Sequence, residues 1–351
     1  MEKVKIIFLY TELATYFLAC IEKLLEYPNS EIHIVHWPVN KEAPFNFSFS
    51  DNVKIYNRND YSAKQLEKLV SAIDPSVIYS SGWIDKGYLQ ICKQYKNKIP
   101  VIVGFDTQWK GSIKQHLLTL ISPFKILNRF THCWVPGELQ HQYALHLGFK
   151  KSTILTGFYT CDFNFFYNQY LFNKETKQKK FPKRFIYVGR YLEFKGIKDL
   201  WQAFIELQNE KPNEWELWCL GAGDIAPILH PKIKHFGFVQ PNDLQKYIKE
   251  TGVFVLPSRF EPWGVVIHEF AAAGFPIVCS DEVGARVTFV EQNVNGYVYK
   301  AGNIIELKKQ FKKIMDLSSN ELFEMGEKSV DKAQQLTPSI WSEKLMQIVT
   351  K

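Results

Sequence analysis

The sequence VFVLPSRFEPWGVVIHEFAAAGFPIVCSDEVG, residues 253–284, decides the fold class. Its first four residues are apolar and are followed by a proline, which predicts a short buried strand. Glu261 precedes another proline and is therefore expected in an extended loop. From Gly264 the pattern is helical as far as Gly274, and residues 277–279 form the next predicted strand. This order places the loop at the carboxyl end of a parallel sheet, where open α/β folds bind ligands.

The start of the predicted helix is a candidate anion site. The backbone N–H groups of Gly264, Val265 and Val266 lie in its first turn, where an α-helix leaves donors unpaired, so they can hold a phosphate. Glu261 lies in the preceding loop, and Glu269 lies on the second turn, about 7 Å further along at about 1.5 Å per residue. The two acids are too far apart to bind one atom. They can contact hydroxyl groups of two sugars on either side of a diphosphate.

The spacing of Glu261 and Glu269 inside PSRFEPWGVVIHEFAAAGFPIV resembles the donor-sugar signature of retaining glycosyltransferases of family 4. Those enzymes have the GT-B fold, an α/β architecture in which two Rossmann-like domains with parallel sheets face a central cleft. The resemblance implies that Glu261 and the amides after Gly264 hold the donor sugar and that Glu269 holds the ribose. The alternative, two exposed helix acids, is disfavoured by the ordered match on both sides.

A second turn, GRYLEFKG at residues 189–196, follows the predicted strand 184–188. Arg190 and Lys195 place a guanidinium and an ammonium at a strand's carboxyl end, which suits a pyrophosphate. The turn is similar to the family's diphosphate clamp, and this implies that the two cations stabilise the leaving diphosphate. The sequence offers no D-x-D element in a suitable loop and no His or carboxylate cluster, so we expect no metal ion and no cofactor beyond the donor substrate.

Residues 217–226, LWCLGAGDIA, formally satisfy the dinucleotide fingerprint G-x-G-x-x-A after a strand. Nearby prolines truncate any following helix, so Gly221 and Gly223 are interpreted as the family's G-x-G turn. Residues 236–239 are predicted to form a strand that, by the resemblance, brings the backbone at Phe238 close to the nucleotide base. A sugar-nucleotide epimerase or an NAD-dependent enzyme on a related fold stays open as an alternative.

The first part of the chain alternates strand and helix patterns, which predicts a second parallel, Rossmann-like sheet. In similar enzymes a glycine-rich turn follows the first strand, whereas this chain has TELA at residues 11–14. Asp106 ends a predicted strand at a position where the family commonly has a histidine or an acid facing the reacting sugar. A capping role for Asp106 in the following helix or turn is the equal alternative. Strands of this half are predicted at residues 4–10, 31–36, 53–56, 77–80 and 99–104.

The length of 351 residues and 41.0 kDa predicts two domains of ordinary size. The lysine-rich segment YNQYLFNKETKQKKFPK is polar and contains a proline, so it is interpreted as a linker. The last helix is expected to cross back to the first domain, as in GT-B enzymes. The predicted divisions are 1–166 for the N-terminal domain, 167–183 for the linker, 184–335 for the nucleotide-sugar domain and 336–351 for the terminal helix.

The net charge of +7 favours an anionic donor, an anionic membrane face or nucleic acid. The linker lysines lack interleaved aromatic residues and any binding motif, so a non-enzymatic nucleic-acid-binding protein is the weaker alternative. Six cysteines without a C-x-x-C pair predict neither a zinc site nor a disulfide framework. The apolar N-terminal run is too short for a signal peptide, and no run approaches ~18 residues. We therefore expect a cytoplasmic protein, peripheral at the inner face of the membrane.

The resemblance, together with the absence of a metal-binding pattern, implies a retaining, metal-independent hexosyltransferase. The resemblance implies a UDP- or GDP-sugar as donor and a glycan or lipid-linked hydroxyl as acceptor, in cell-surface polysaccharide or lipopolysaccharide biosynthesis. No nucleic-acid partner is expected.

Overall fold

The computed structural model describes residues 3–11, 13, 15–38 and 52–349. The chain divides into two compact units, Met1–Thr160 with Leu336–Lys351, and Cys161–Gln335. Each unit is built on its own parallel sheet, so the predicted pair of α/β domains is confirmed. No helix in the described part of the chain has both the length and the apolarity needed to cross a bilayer.

The N-terminal unit contains a seven-stranded parallel sheet with helices on both of its faces. Its strands are β1 (Val4–Tyr10), β2 (Ser30–His36), β3 (Val53–Asn57), β4 (Val77–Ser81), β5 (Val101–Gly104), β6 (His132–Val135) and β7 (Ile154–Thr156). Its first five helices are α1 (Thr15–Leu25), α2 (Ala63–Ile73), α3 (Lys86–Tyr95), α4 (Ile113–Lys125) and α5 (Glu138–His146), with short 3-10 turns at Arg58–Asp60 and Lys151–Thr153. The strand order is β3-β2-β1-β4-β5-β6-β7.

Residues on β1 show why both faces of this sheet are covered. Successive strand residues point to opposite faces. Ile6 and Phe8 belong to one buried cluster, whereas Ile7 and Leu9 belong to another. A continuous apolar strand therefore supplies two cores at once, as expected for a parallel sheet.

The C-terminal unit contains a six-stranded parallel sheet. Its strands are β8 (Arg184–Val188), β9 (Glu216–Leu220), β10 (Ile233–His235), β11 (Val253–Leu256), β12 (Ile277–Ser280) and β13 (Gly296–Tyr299). Its helices are α6 (Phe163–Lys179), α7 (Ile197–Glu210), α8 (Gln245–Glu250), α9 (Val265–Ala272), α10 (Arg286–Phe289), α11 (Ile304–Asp316) and α12 (Ser319–Ala333), with short 3-10 turns at Glu193–Lys195 and Pro241–Asp243. The strand order β10-β9-β8-β11-β12-β13 reverses between β8 and β11.

The segment predicted as a linker, residues 167–183, lies mostly in helix α6 of the C-terminal unit. Asp162 caps this helix by accepting a hydrogen bond from the backbone N–H of Phe165 at 3.1 Å. Lys177 is buried, and its ammonium nitrogen lies 3.8 Å from the ring centroid of Phe275. A helix needs only a narrow stripe of inward residues, so a mostly polar composition concealed it.

The last helix, α13 (Pro338–Val349), belongs to the N-terminal unit. Trp341 stacks on Trp134 with ring centroids 4.6 Å apart, and its indole N–H donates to the carbonyl of Phe158 at 2.7 Å. Lys344 donates to the carbonyl of Thr156 at 2.9 Å. The terminal helix thus completes the core of the unit in which the chain begins.

Candidate functional site

Two loops meet at the carboxyl edge of the C-terminal sheet, where β8 and β11 are neighbours and the strand order reverses. They are the loop after β8, residues 189–196, and the loop after β11, residues 257–264. The backbone N–H groups of Arg259 and Phe260 both donate to the carbonyl of Phe194, at 2.8 and 3.2 Å. Reversal points of this kind are where open α/β sheets bind ligands.

Gly196 permits this close approach of the two loops. It has a φ of 68°, and a Cβ there would lie 2.2 Å from the carbonyl oxygen of Pro257. Any larger residue would have to push the loop after β11 away from the loop after β8. The backbone of the candidate site is therefore held by hydrogen bonds and by the absence of a side chain.

Lys195 and Glu261 form an ion pair across these loops. The ammonium nitrogen lies 2.5 Å from Oε2 of the carboxylate, and Ser258 Oγ donates to the same oxygen at 3.2 Å. The side chains are only 16% and 13% exposed. The sequence predicted these residues separately, one for a diphosphate and one for a sugar, and the structure brings them into contact. An ammonium has three donors, so the pair leaves Lys195 able to bind an anion as well.

Arg190 lies on the exposed side of the turn after β8. The hydroxyl of Tyr187 donates to the carbonyl of Arg190 at 2.8 Å, and the backbone N–H of Tyr191 donates to the carbonyl of Ala222 at 2.9 Å. The turn is thus anchored by a side chain of β8 and by the backbone of the loop after β9. These two bonds hold the backbone of Arg190 at the strand end.

Gly221 and Gly223 form the neighbouring loop after β9. A Cβ on Gly221 would lie 1.9 Å from the carbonyl oxygen of Gly189, and one on Gly223 would lie 2.5 Å from that of Tyr191. No helix begins in the described residues between β9 and β10. The dinucleotide fingerprint needs a helix N-terminus directly after its glycines. The alternative of an NAD-dependent enzyme using these glycines therefore lacks its structural context.

The strand predicted at residues 236–239 is wrong, because β10 ends at His235. Phe238 lies in the following loop and is 45% exposed. The backbone N–H of Gly221 donates to the carbonyl of Gly237 at 2.7 Å, so this loop adjoins the glycine turn. The preceding glycine adopts a φ of 68°, which breaks the extended conformation that the apolar pattern suggested.

Helix α9 begins at Val265, directly after the second loop. Its N-cap is Gly264, with a φ of 92° and no side chain to cap the first turn. The backbone N–H of Gly284 donates to the carbonyl of Glu261 at 3.0 Å, and that of Ala285 donates to the carbonyl of Trp263 at 2.9 Å. These bonds fix the loop while the first turn of α9, including Val266, lacks a capping side chain.

Glu269 is a partly buried acid on α9. Burial, and then the negative charge of Asp162, raise the pKa of Glu269 to about 7. Among the described residues no cation or hydrogen-bond donor meets its carboxylate. Hydroxyl donors of a ligand would hydrogen-bond this carboxylate and favour its charged form.

The adjacent His268 has a structural role. Its Nδ1 accepts a hydrogen bond from the backbone N–H of Cys161 at 3.1 Å, and its Nε2 donates to the carbonyl of Ala333 at 3.0 Å. Burial lowers the pKa of His268 to about 4, and its ring stacks on Phe289 at 4.2 Å. A neutral histidine with both ring nitrogens hydrogen-bonded therefore fixes the position of α9 next to Glu269.

Sequence reasoning missed the residues that surround the ion pair. Arg259 donates to both carboxylate oxygens of Asp199, at 2.8 and 2.6 Å, and so ties the second loop to α7. Phe194 and Phe260 are 40% and 50% exposed at the meeting point of the two loops. In the sequence, Phe194 and Phe260 could be found only from their positions inside the two motifs, since neither residue is part of an apolar pattern.

Asp106 follows β5 in the N-terminal unit. It does not cap the next helix, because Ser112 is the N-cap of α4 and forms a capping box with Gln115. Instead, Oδ2 of Asp106 accepts a hydrogen bond from the hydroxyl of Tyr159 at 3.4 Å. Burial raises the pKa values of Tyr159 and Tyr79 well above the ordinary value, and the charge of Asp106 adds to both shifts.

The turn after β1 is described only in part, because Glu12 and Ala14 lie outside the described residues. At its start, the backbone N–H of Thr11 donates to Ser81 Oγ at 2.7 Å, and the two hydroxyl oxygens are 2.9 Å apart. The described residues contain no group of three or more His, Cys, Asp or Glu side chains that could hold a metal ion. All six cysteines are buried as free thiols.

Residues 170–334 match the family model described as Glycosyl transferases group 1. The matched segment lies within the C-terminal unit. An uncharacterized glycosyltransferase of Methanocaldococcus jannaschii is 35% identical over 130 residues, which is 33% of this chain and 32% of that protein. The lipopolysaccharide 1,6-galactosyltransferase of Escherichia coli is 28% identical over 179 residues, 46% of this chain and 48% of that protein. The chain thus aligns with a third to a half of these curated relatives.

The solved structure of Anabaena HepE in complex with UDP-glucose matches over 99% of both chains, with a TM-score of 0.68 and 14% identity. This chain has the GT-B fold. The segment that matches the family model contains every candidate residue that the sequence placed in the C-terminal half, from Arg190 to Glu269. Asp106 lies outside that segment.

Proposed function

We propose that the chain is a retaining glycosyltransferase of family 4 that moves a hexose or modified hexose from a nucleotide diphosphate sugar to an acceptor hydroxyl. The observation that carries the proposal is the meeting of Lys195 and Glu261 at the reversal point of the C-terminal sheet, directly before the uncapped start of α9. A fixed cation, a fixed acid and helix N–H groups together suit a sugar linked to a diphosphate.

The roles follow from the positions of the groups. Arg190 and Lys195 meet the leaving diphosphate, whose negative charge grows in the transition state. Glu261 and the amides at the start of α9 bind the sugar, and Glu269 binds the ribose. Acceptor and leaving group react on one face of the sugar, and the leaving phosphate takes the acceptor proton. This scheme needs no metal ion and no pair of catalytic carboxylates of the glycosidase type.

The donor is a UDP- or GDP-sugar, and the acceptor is a glycan or a lipid-linked sugar. HepE was solved with UDP-glucose, and the Escherichia coli relative acts on lipopolysaccharide according to its name. We place the reaction in cell-surface polysaccharide or lipopolysaccharide assembly, in the cytoplasm and peripheral at the inner face of the membrane.

A thermal-shift screen against UDP-, GDP- and ADP-sugars tests the donor class. A ligand that binds only the folded state raises stability by about 2.7 kcal/mol at 100 times its dissociation constant. We expect one base to give a clear shift that Glu269→Ala reduces. A shift with NAD and none with any sugar nucleotide would contradict the proposal.

Product analysis then separates transfer from the rival reactions. With the donor identified, NMR of the product should show release of the nucleoside diphosphate only when an acceptor is present, with the donor's anomeric configuration kept. An epimerase would change the sugar nucleotide without an acceptor. Salt-sensitive binding to random DNA, with no sugar-nucleotide shift, would favour the nucleic-acid-binding alternative.

A further inference from the structure

Helix α4 of the N-terminal unit turns a continuous apolar stripe toward solvent. Leu120 and Phe124 are 73% and 76% exposed. The exposed apolar residues recur every three or four positions, which places them on one side of a helix. We call this stripe the α4 outer face; it consists of Ile113, Leu117, Leu120, Ile121 and Phe124.

The opposite side of α4 is fastened to the unit by buried polar groups and by Leu118, which packs against the core. The side chain of Gln115 donates to the carbonyl of Gln108 at 2.6 Å and accepts from the backbone N–H of Lys110 at 2.9 Å. Ser122 Oγ donates to the carbonyl of Leu147 at 2.7 Å. These hydrogen bonds help to hold the helix in an orientation that turns its apolar stripe toward solvent. A large apolar stripe held in this way marks an interaction surface.

The charge around this helix indicates what covers it. Between Thr107 and Gly137 the sequence has no Asp or Glu, but it has the cations Lys110, Lys114, Lys125 and Arg129. Lys114 and Lys125 are exposed near the two ends of α4 and form no ion pair within the described residues. An apolar stripe with cations at its margins is complementary to a bilayer with anionic headgroups.

The other exposed large apolar side chains among the described residues lack this arrangement. Phe172 on α6 and Ile305 on α11 are 78% and 75% exposed. Phe172 has Glu175 three positions away, and Ile305 is followed by Glu306. Both therefore serve as matched controls for exposure without the continuous stripe and the purely cationic setting.

We propose that the α4 outer face inserts into the interfacial layer of an anionic lipid bilayer. Its leucine, isoleucine and phenylalanine side chains contact acyl chains, while Lys114 and Lys125 contact headgroup phosphates. This proposal stands on the geometry of the N-terminal unit and not on the proposed transfer activity. It assigns the membrane contact to one helix, whereas net charge alone assigns it to no surface.

Vesicle co-sedimentation of the full chain tests the proposal. We expect binding to vesicles of phosphatidylcholine with phosphatidylglycerol, and much weaker binding to phosphatidylcholine alone. Leu120→Gln with Phe124→Gln should reduce binding at least ~10-fold, because two large apolar side chains leave the acyl region. The control pair Phe172→Gln with Ile305→Gln should bind like the wild type. All four side chains are exposed, so equal melting temperatures are expected and check that the fold is kept.

A second variant tests the charge. Lys114→Gln with Lys125→Gln should lower binding to the anionic vesicles by roughly 10-fold, with little change on neutral vesicles. Equal binding by the α4 and control pairs would overturn the proposal. It would also be overturned if light scattering showed a wild-type dimer that the α4 pair converts to a monomer, without vesicle binding by either, because the face would then join two copies of the chain.

Discussion

The two sheets of this protein share a strand order but differ at their carboxyl edges. In each sheet the order reverses beside the first strand, between β1 and β4 and between β8 and β11. At the β8–β11 edge, glycines let loops approach closely around the Lys195–Glu261 ion pair. At the β1–β4 edge, hydroxyl groups of Thr11 and Ser81 meet, and after the next strand, β5, Asp106 accepts a hydrogen bond from Tyr159.

This difference separates what topology supplies from what side chains supply. Strand order creates a crevice at each reversal point, whatever the chemistry of its residues. Fixed opposite charges and an uncapped helix start make the C-terminal edge suited to an anion. Partly buried hydroxyl groups and one acid make the N-terminal edge suited to a neutral or cationic group. The predictions below test that division.

The largest expected effect is loss of a cation at the C-terminal edge. Lys195→Ala or Arg190→Ala should lower kcat by something on the order of 10²–10³-fold, with a smaller change in donor affinity, because the lost interaction strengthens as charge develops on the diphosphate. Steady-state kinetics measures both. Lys183→Ala is the matched control, since Lys183 forms a 2.5 Å ion pair with Glu214 at an exposed position.

Two further variants sharpen that result. Arg190→Lys should restore only part of the rate, because a point charge cannot reproduce a bidentate guanidinium. Glu261→Ala should lower turnover while nucleoside diphosphate affinity stays nearly intact. Equal loss of nucleotide binding in Glu261→Ala and Glu269→Ala would contradict the separate roles given to the two acids.

The next effect concerns Glu269, both in nucleotide binding and in pH dependence. Glu269→Ala should weaken nucleoside diphosphate binding by roughly 1–3 kcal/mol, the cost of a charge-assisted hydrogen bond.

The pKa of Glu269 is raised from 4.5 to about 7 in the folded chain. The folded chain therefore holds this proton more tightly than the unfolded chain does. The contribution of Glu269 to the free energy of unfolding is fully present below pH 4.5 and is lost as the pH rises through 7.

Melting temperatures at pH 5 and pH 8 measure this contribution. Glu269→Gln should remove a pH-dependent loss on the order of 2–3 kcal/mol from the wild type. Asp162→Asn should remove only the smaller part, because burial is the larger cause and asparagine can still cap α6. Identical pH profiles for wild type and Glu269→Gln would show that this carboxyl group is not desolvated.

Sequence reasoning found the fold class and the ends of β8, β9 and β11, because short apolar runs bounded by glycine or proline report local structure. It placed Phe238 on a strand that the structure does not contain. It missed pairings between distant segments, such as Lys195 with Glu261 and Arg259 with Asp199, since no local pattern encodes them. It also took α6 for a linker. The lysines of that segment suggested that it is solvated. Lys177, however, is buried, and burial lowers the pKa of its ammonium group to about 7.

A smaller effect is expected at the N-terminal edge. Asp106→Asn should slow transfer by at least ~10-fold with unchanged donor affinity, if the carboxylate stabilises a cationic sugar. Tyr159→Phe removes the hydroxyl that donates to Asp106 and serves as a partial control. Near-normal turnover of Asp106→Asn would limit Asp106 to a structural role and leave the chemistry with the C-terminal edge alone.

The smallest expected effect is that of chelation. If Arg190 and Lys195 supply the positive charge for the leaving diphosphate, the wild-type enzyme should keep its rate within about 2-fold in excess EDTA, because fixed guanidinium and ammonium groups need no exchangeable ion. The same assay on Lys195→Ala sharpens the comparison: added magnesium or manganese should not restore its rate, since the defect is a missing side chain. If EDTA abolished wild-type activity and manganese recovered it, the charge at this edge would come from a bound ion, and the roles given to the two cations would have to be replaced.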